Sequence, residues 1–136
     1  MTQEDKELLL KDLCGRLPYG VKCYKMTFKP ELAEEVICML RNGSHNCVQL
    51  GTFLYRLEHI KPYLFPLSSM TEEQKDNCPI GETNLNIIKS NTGYGIIEIP
   101  WRLLYIFIEW CNKNHFDYRG LIEKGLAIDC TNLNVY

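Results

Sequence analysis

The sequence predicts an α+β fold in which helices cover a small antiparallel sheet, and three patterns lead to this prediction. Alternating apolar and polar residues between Val21 and Leu57 favour about four short strands. Leucines at three- and four-residue spacing before Pro18 indicate an amphipathic helix. The run Pro100–Lys113 is apolar nearly all round, which is typical of a central helix. We therefore expect a meander or partial barrel covered by both helices, plus a short terminal helix.

The length and composition favour a single globular domain, residues 1–136. Apolar residues make up 46% of the chain and charged residues 24%, which are ordinary values for a folded domain. A chain of this length can bury about two-thirds of the surface that its unfolded form exposes. Disorder over most of the chain is therefore disfavoured.

The first helix is predicted from Gln3 to Gly15. Thr2 can cap it by accepting a backbone N–H, and the acidic residues that follow suit the positive end of the helix dipole. Pro18 and Gly20 prevent its continuation. Its apolar stripe consists of Leu9, Leu10, Leu13 and Leu17.

Four strands are expected next. They are Val21–Phe28, Glu35–Arg41, Asn46–Leu50 and Thr52–Leu57, with Asn42-Gly43-Ser44 as the hairpin turn between the second and third.

The middle of the chain is predicted to be mostly irregular. Pro62 and Pro66 argue against both a regular helix and a central strand. Capping-box patterns predict a short helix that begins near Thr71 and ends by Asn77. The segment Cys78–Gly95, rich in Asn, Thr and Gly, is expected to be an exposed loop with at most one short strand.

The C-terminal part is predicted to begin with Pro100 in the first turn of the apolar helix. Asp117 would cap the short helix Tyr118–Lys124, with Gly125 at the left-handed position after it. Thr131–Tyr136 is expected to fray. The wide apolar circumference of Pro100–Lys113 leaves a homodimer interface as an alternative to full burial.

The charge balance disfavours non-specific binding to DNA or RNA. The net charge is −2, with eight basic and eight acidic residues before Ile60 and seven basic and nine acidic residues after it. A phosphate-backbone binder would carry a basic excess. A local patch on the curled sheet, formed by Lys22, Tyr24 and Lys25, remains an alternative as a nucleic-acid or nucleotide site.

Seven widely spaced cysteines with no CxxC motif suggest a reducing cytoplasm, in which most of the thiols act as small apolar core residues. The start of the chain is polar and acidic, so no signal peptide is expected. Because Trp101–Cys111 is too short to span a bilayer, no transmembrane segment is expected either.

The search for catalytic residues gives only weak candidates. His45 and Cys47 would share a face of a strand, so a cysteine-dependent enzyme is one alternative, but neither a third catalytic group nor a complete metal ligand set is visible. Asn91–Gly95 has two glycines but lacks the rest of a phosphate-loop motif. We predict no catalytic residues, no metal and no cofactor.

The candidate binding residues lie in two segments. Arg119, with His115 and Tyr118, could meet an acidic partner or a phosphate, but the favoured interpretation is structural, with Arg119 pairing with Asp117 or capping a carbonyl of the preceding helix. Tyr63 and Phe65, two more aromatic residues, alternate between two prolines and could form an exposed recognition strip or wrap an edge of the core.

Three stretches, Leu8–Lys22, Ile60–Glu73 and His115–Ala127, resemble a family of small uncharacterised proteins from anaerobic gut bacteria and their phages or mobile elements. The resemblance implies a cytoplasmic, phage-linked setting and no particular activity. Our leading functional hypothesis is a non-enzymatic interaction or regulatory module with a protein partner.

Overall fold

The structure is a computed structural model that describes residues 1–26, 33–42, 45–89 and 99–136. Those ranges contain four α-helices and seven strands in one open, mixed sheet, which confirms the predicted α+β class. The helices are α1 (Gln3–Arg16), α2 (Glu72–Asp76), α3 (Gly81–Lys89) and α4 (Trp101–Lys113). The strands are β1 (Lys22–Lys25), β2 (Glu34–Asn42), β3 (His45–Leu50), β4 (Phe53–Arg56), β5 (Ile60–Pro66), β6 (Phe116–Asp117) and β7 (Ile128–Asp129).

Helix α1 begins where the capping pattern predicted. The Thr2 hydroxyl accepts the Asp5 N–H at 3.1 Å, and the Asp5 carboxylate accepts the Thr2 N–H at 3.0 Å, so two N–H groups without helical partners are satisfied. Leu9 and Leu13 are fully buried on its inner side. They pack in a core cluster with residues of the sheet, including Val21, Val36, Val48, Leu50 and Ile60.

The predicted meander is confirmed, because β1 to β4 are antiparallel neighbours in chain order. Met39 faces Val48, which faces Tyr55, on the side that packs against the core. A register shift between Val36 and Cys38 interrupts the β2–β3 ladder. Residues 43 and 44 of the predicted hairpin turn lie outside the described residues. Residues 27–32, between β1 and β2, also lie outside them.

Strand β5 corrects the prediction that Pro62 and Pro66 exclude a central strand, since it pairs with three strands, β1, β6 and β7. The Met26 N–H donates to the His59 carbonyl at 2.8 Å. Hydrogen-bonded positions alternate along an antiparallel pair, so Pro62, opposite Cys23, occupies a non-bonded position on the β1 side. The pairing with β7 starts one residue later, at Tyr63. In this register neither β1 nor β7 needs the N–H group that Pro62 lacks, so the proline costs the sheet no hydrogen bond.

The C-terminal strands correct two further predictions. Both β6 and β7 run parallel to β5, so the sheet is mixed rather than purely antiparallel, and it is open rather than a partial barrel. The expected helix Tyr118–Lys124 is a series of turns instead. Gly120 adopts the left-handed φ of 72°, which breaks the helical path two residues after its start. Gly125 is left-handed, as predicted, with a φ of 70°.

The segment after the second capping box also differs from expectation. Helix α2 begins at Glu72 after the predicted cap, Thr71, and ends before Asn77 as expected. The next segment, predicted to be a loop, contains α3, and the burial of Leu85 against α4 and β6 explains why a polar sequence is helical there. Residues 90–98, which include the glycine pair of Asn91–Gly95, lie outside the described residues.

Helix α4 is not surrounded by protein, which corrects the prediction of a central helix. Phe107 and Cys111 are buried in a second core cluster that lies at the β5–β6 end of the sheet. That cluster also contains Met70, Cys78, Ile80, Leu85 and Phe116. The opposite side of the helix, with Trp101 and Tyr105, is exposed. No described helix is long and apolar enough to cross a membrane.

Candidate functional sites

The five candidate binding residues fall into two groups. Tyr63, Phe65 and His115 surround Tyr136, a residue that the sequence analysis assigned to a fraying end. Tyr118 and Arg119 lie beside a buried ion pair on α1 that the sequence analysis did not single out. The structure therefore brings these five residues to two places rather than one.

The Tyr136 hydroxyl is inserted between two strands. It accepts the Lys22 N–H of β1 at 3.0 Å and donates to the Tyr63 carbonyl of β5 at 3.0 Å. By the alternation described above, these two backbone groups belong to the next hydrogen-bonded pair of the β1–β5 ladder. One side chain hydroxyl thus takes the place of a backbone hydrogen bond, so Tyr136 does not fray.

The ring of Tyr136 is held by aromatic and cationic neighbours. It stacks on His115 with ring centroids 3.8 Å apart and planes within 9°, and the ring of Phe65 lies 6.0 Å away. The Lys22 ammonium lies 5.6 Å from its ring centroid and donates to the Val135 carbonyl at 2.6 Å. The Phe65 ring and the Tyr63 carbonyl therefore contact the tail of this chain.

His115 is buried and neutral. Burial, and then the charges of Arg16 and Lys22, lower its pKa to about 4. Its Nδ1 atom is buried and has no hydrogen-bond partner among the described residues. The backbone at His115 is left-handed, with a φ of 59°. The imidazole packs face to face against the Tyr136 ring.

The buried ion pair joins α1 to the C-terminal part of the chain. The Arg16 Nε donates to Asp12 at 2.7 Å and its Nη2 donates to the other carboxylate oxygen at 3.0 Å, and both residues are fully buried. Arg16 also donates to the carbonyls of Cys111 at 3.2 Å and Phe116 at 2.8 Å. Four guanidinium hydrogen bonds therefore connect α1, the last turn of α4, and β6.

Arg119 and Tyr118 lie at the edge of that ion pair. The Arg119 Nε is 3.5 Å from Asp12 Oδ1, and its guanidinium lies 4.8 Å from the centre of the Tyr118 ring. Asp117 does not pair with the Arg119 side chain. Its carboxylate instead accepts the backbone N–H groups of Arg119, Leu121 and Ile122. Asp117 therefore caps a turn, although the expected helix is absent.

The cysteine and metal alternatives gain no support. Cys47 is buried whereas His45 is exposed, and all seven cysteines are free thiols. Burial raises the pKa of Cys23 and Cys111, and that of Cys130 to about 11, so these thiols stay protonated and weakly nucleophilic. Within the described ranges, no three His, Cys, Asp or Glu residues form a cluster that could hold a metal ion.

The suggested nucleic-acid patch on β1 is occupied by internal contacts. Lys22 bonds to Val135 and lies near the Tyr136 ring, and Lys25 forms an ion pair with Glu34 at 2.5 Å. Both ammonium groups therefore have partners within the chain.

The remaining candidate is the outer face of α4, which we define as Trp101, Arg102, Tyr105, Ile106 and Glu109. Trp101 is 74% exposed, Tyr105 62% and Ile106 47%. The Arg102 guanidinium lies 5.6 Å from the Trp101 ring centroid, and Glu109 accepts a 2.6 Å hydrogen bond from Tyr19. This face combines large exposed aromatic groups with charges of both signs.

In comparisons with protein-family models, curated proteins and solved structures, nothing was found that matches this chain.

Proposed function

We propose that the protein is a non-enzymatic interaction or regulatory module that binds a protein partner through the outer face of α4. One observation carries this proposal. Trp101 is 74% exposed on a helix whose opposite side is buried in the core. A large apolar side chain in water forgoes roughly 2 kcal/mol of burial free energy, which a partner surface would recover.

The residue types of the outer face favour a binding surface over incidental exposure. Trp, Tyr and Arg are enriched among the residues that dominate binding energy at interfaces, whereas Leu is under-represented. Other large apolar residues exposed on the meander are Ile37, Leu40, Phe53 and Leu54. They are mostly aliphatic, so the outer face of α4 is the stronger candidate.

A second copy of the chain is the partner that the charges favour. Arg102 and Glu109 are seven residues apart, which places them on the same side of α4 two turns from each other. If two copies pack antiparallel about a twofold axis between Tyr105 and Ile106, each Arg102 lies near Glu109 of the other copy. The outer face is therefore complementary to itself, as a twofold interface requires.

The size of this contact suggests a weak dimer. Each buried aromatic side chain contributes about 150–250 Å², so two copies of Trp101 and Tyr105 give roughly 600–1,000 Å². With the charged rim the total is near the lower limit, about 1,000–1,200 Å², of specific interfaces. We expect dissociation constants in the micromolar range, on the order of 1–100 μM.

Charge-swapped variants test the dimer by sedimentation equilibrium. Arg102→Glu and Glu109→Arg should each be monomeric, because each places like charges together twice. An equimolar mixture of the two should form a heterodimer, in which both contacts join opposite charges. Arg41→Glu, at an exposed position on β2, is the matched control and should dimerise normally. A wild-type protein that stays monomeric at millimolar concentration would rule out the second copy as the partner.

We further propose a cytoplasmic setting, as an accessory protein of a phage or mobile element in an anaerobic gut bacterium. Seven free thiols suit a reducing compartment, and the resemblance of the three sequence stretches supports the phage link. Mass spectrometry of thiol-alkylated protein from the native host would test the compartment, since disulfide-bonded protein would contradict it.

A further inference from the structure

A second surface contains unused positive charge. A groove of about 640 Å³ lies between the turn at Leu67–Ser69, the end of α3 and the loop 117–124. Pockets of about 300–1,000 Å³ hold small ligands in most proteins. This groove involves none of the residues of the outer face of α4.

The groove is positive once its internal contacts are considered. Lys89, Arg119 and Lys124 line it, together with Asp117 and Glu123. Both oxygens of Asp117 already accept backbone N–H groups. Among the described residues, no salt bridge neutralises Lys89 or Lys124. The lining therefore holds three cations and two carboxylates, a net charge of +1, although Lys124 also lines a neighbouring pocket with acidic residues of α1.

Arg119 has a surplus charge and unused donors. Its nearest carboxylate is Asp12, at 3.5 Å, but the two oxygens of Asp12 already accept the shorter bonds from Arg16. The cluster of Asp12, Arg16 and Arg119 thus carries one net positive charge. Among the described residues no group accepts a hydrogen bond from Arg119 Nε, and the buried Tyr118 hydroxyl is likewise unpaired.

We propose that this groove binds a small molecule through an oxyanion, and that a phosphate monoester is preferred over a monocarboxylate. The planar guanidinium of Arg119, held against the Tyr118 ring, presents its free N–H groups to two oxygens of the anion. Lys89 and Lys124 flank it and favour the doubly charged group. Ser68, also in the groove lining, offers a hydroxyl donor.

The test is an amide NMR titration of the full chain with inorganic phosphate and, separately, with acetate, at constant ionic strength held with sodium chloride. We expect saturable shifts at Gly120, Lys124 and Ser68 with phosphate, and weaker binding of acetate. Arg119→Gln should weaken phosphate binding about tenfold or more, and Arg119→Lys by less, because lysine keeps the charge but loses the two-pronged geometry.

Matched variants separate binding from folding. Arg41→Gln makes the same change at an exposed position outside the groove and should leave phosphate binding unchanged. Lys124→Gln removes an exposed groove cation and should also weaken phosphate binding. This variant provides the test if Arg119→Gln perturbs the fold. Equal phosphate affinity in Arg119→Gln, Lys124→Gln and the wild type would overturn the proposal, as would shifts that chloride alone reproduces. Acetate binding as tight as phosphate binding would overturn the preference for the doubly charged group.

Discussion

The buried arginine cluster and the outer face of α4 invert the usual distribution of polar and apolar residues. Arg16, a permanent cation, has no exposed surface and four hydrogen bonds to the protein. Trp101, the largest apolar side chain type, is mostly in water. The charge of Arg16 therefore serves the fold, while the exposed apolar surface of Trp101 is the basis of the partner contact that we propose.

The contrast between buried Arg16 and exposed Trp101 has a physical cause. A buried guanidinium is tolerated only when nearly all of its donors are paired, and the last turn of α4 and β6 provide carbonyls where α1 provides a carboxylate. An exposed tryptophan needs no such compensation in the monomer. Its exposure leaves no buried polar group unpaired and only forgoes the free energy that burial of the ring would give. Substitutions in the two regions should therefore affect different measurements.

The largest effect is expected for Arg16→Met. It leaves the Asp12 carboxylate buried without its partner and frees the carbonyls of Cys111 and Phe116, so the free energy of unfolding should fall by about 3–5 kcal/mol. Urea unfolding followed by circular dichroism measures it. The double variant Asp12→Leu/Arg16→Met should recover part of the loss, because no charge remains buried. Equal losses in the single and double variants would mean that packing, and not the unpaired charge, dominates.

The next effect is a pH dependence from His115. Its pKa is about 4 in the fold against 6.5 for the free side chain, so the unfolded chain binds more protons between these values. Stability is complete above pH 6.5 and falls toward pH 4 by at most about 1.4 kcal/mol per pH unit. His115→Asn, which tolerates the left-handed backbone, should remove this component from unfolding curves collected from pH 7 to pH 4. An unchanged pH profile in this variant would assign the acid sensitivity to other groups.

Tyr136→Phe tests a smaller internal polar contact. It removes the hydroxyl that joins the Lys22 N–H to the Tyr63 carbonyl, and we expect a loss of about 1–2 kcal/mol. Amide hydrogen exchange at Lys22 should accelerate in the same variant. Tyr105→Phe is the control, since its hydroxyl is on the exposed outer face of α4 and should change stability little. If the free energy of unfolding falls equally in both variants, the inserted Tyr136 hydroxyl contributes no more to stability than an exposed hydroxyl.

The smallest effect on the monomer is expected for Trp101→Ala. Because the ring is mostly exposed, the free energy of unfolding at low protein concentration should change by less than about 0.5 kcal/mol. The same variant should lose self-association in sedimentation experiments. A stability loss above about 2 kcal/mol would show that Trp101 belongs to the core, and would remove the comparison on which the proposed function depends.

Local patterns were predictable from the sequence. The caps at Thr2 and Thr71 need only residues three positions apart, and the leucine stripe of α1 needs only helical spacing. The meander strands followed from alternation over a few residues. Asp12 and Arg16 carried a signal that was missed, since they are four residues apart and interleave with Leu9 and Leu13 on the stripe predicted to be buried.

The failures involve partners that are distant in sequence. Pro62 is acceptable in β5 only because of its register against β1, and α3 depends on burying Leu85 among residues as far away as Phe116. Tyr136 is fixed by strands that no local pattern connects to it. Of the candidate binding residues, Arg119 lies beside Asp12, whereas His115, Phe65 and the Tyr63 carbonyl contact Tyr136.

The position of Tyr136 also constrains how the chain folds during synthesis. Its hydroxyl completes the contact between β1 and β5, yet it lies 114 residues beyond Lys22. On a ribosome, which adds about 5–20 residues per second, β1 therefore emerges several seconds before the residue that closes this ladder. Until then the Lys22 N–H and the Tyr63 carbonyl have no tyrosine between them. A nascent sheet that closed directly at this position would have to reopen that contact for Tyr136 to insert its hydroxyl.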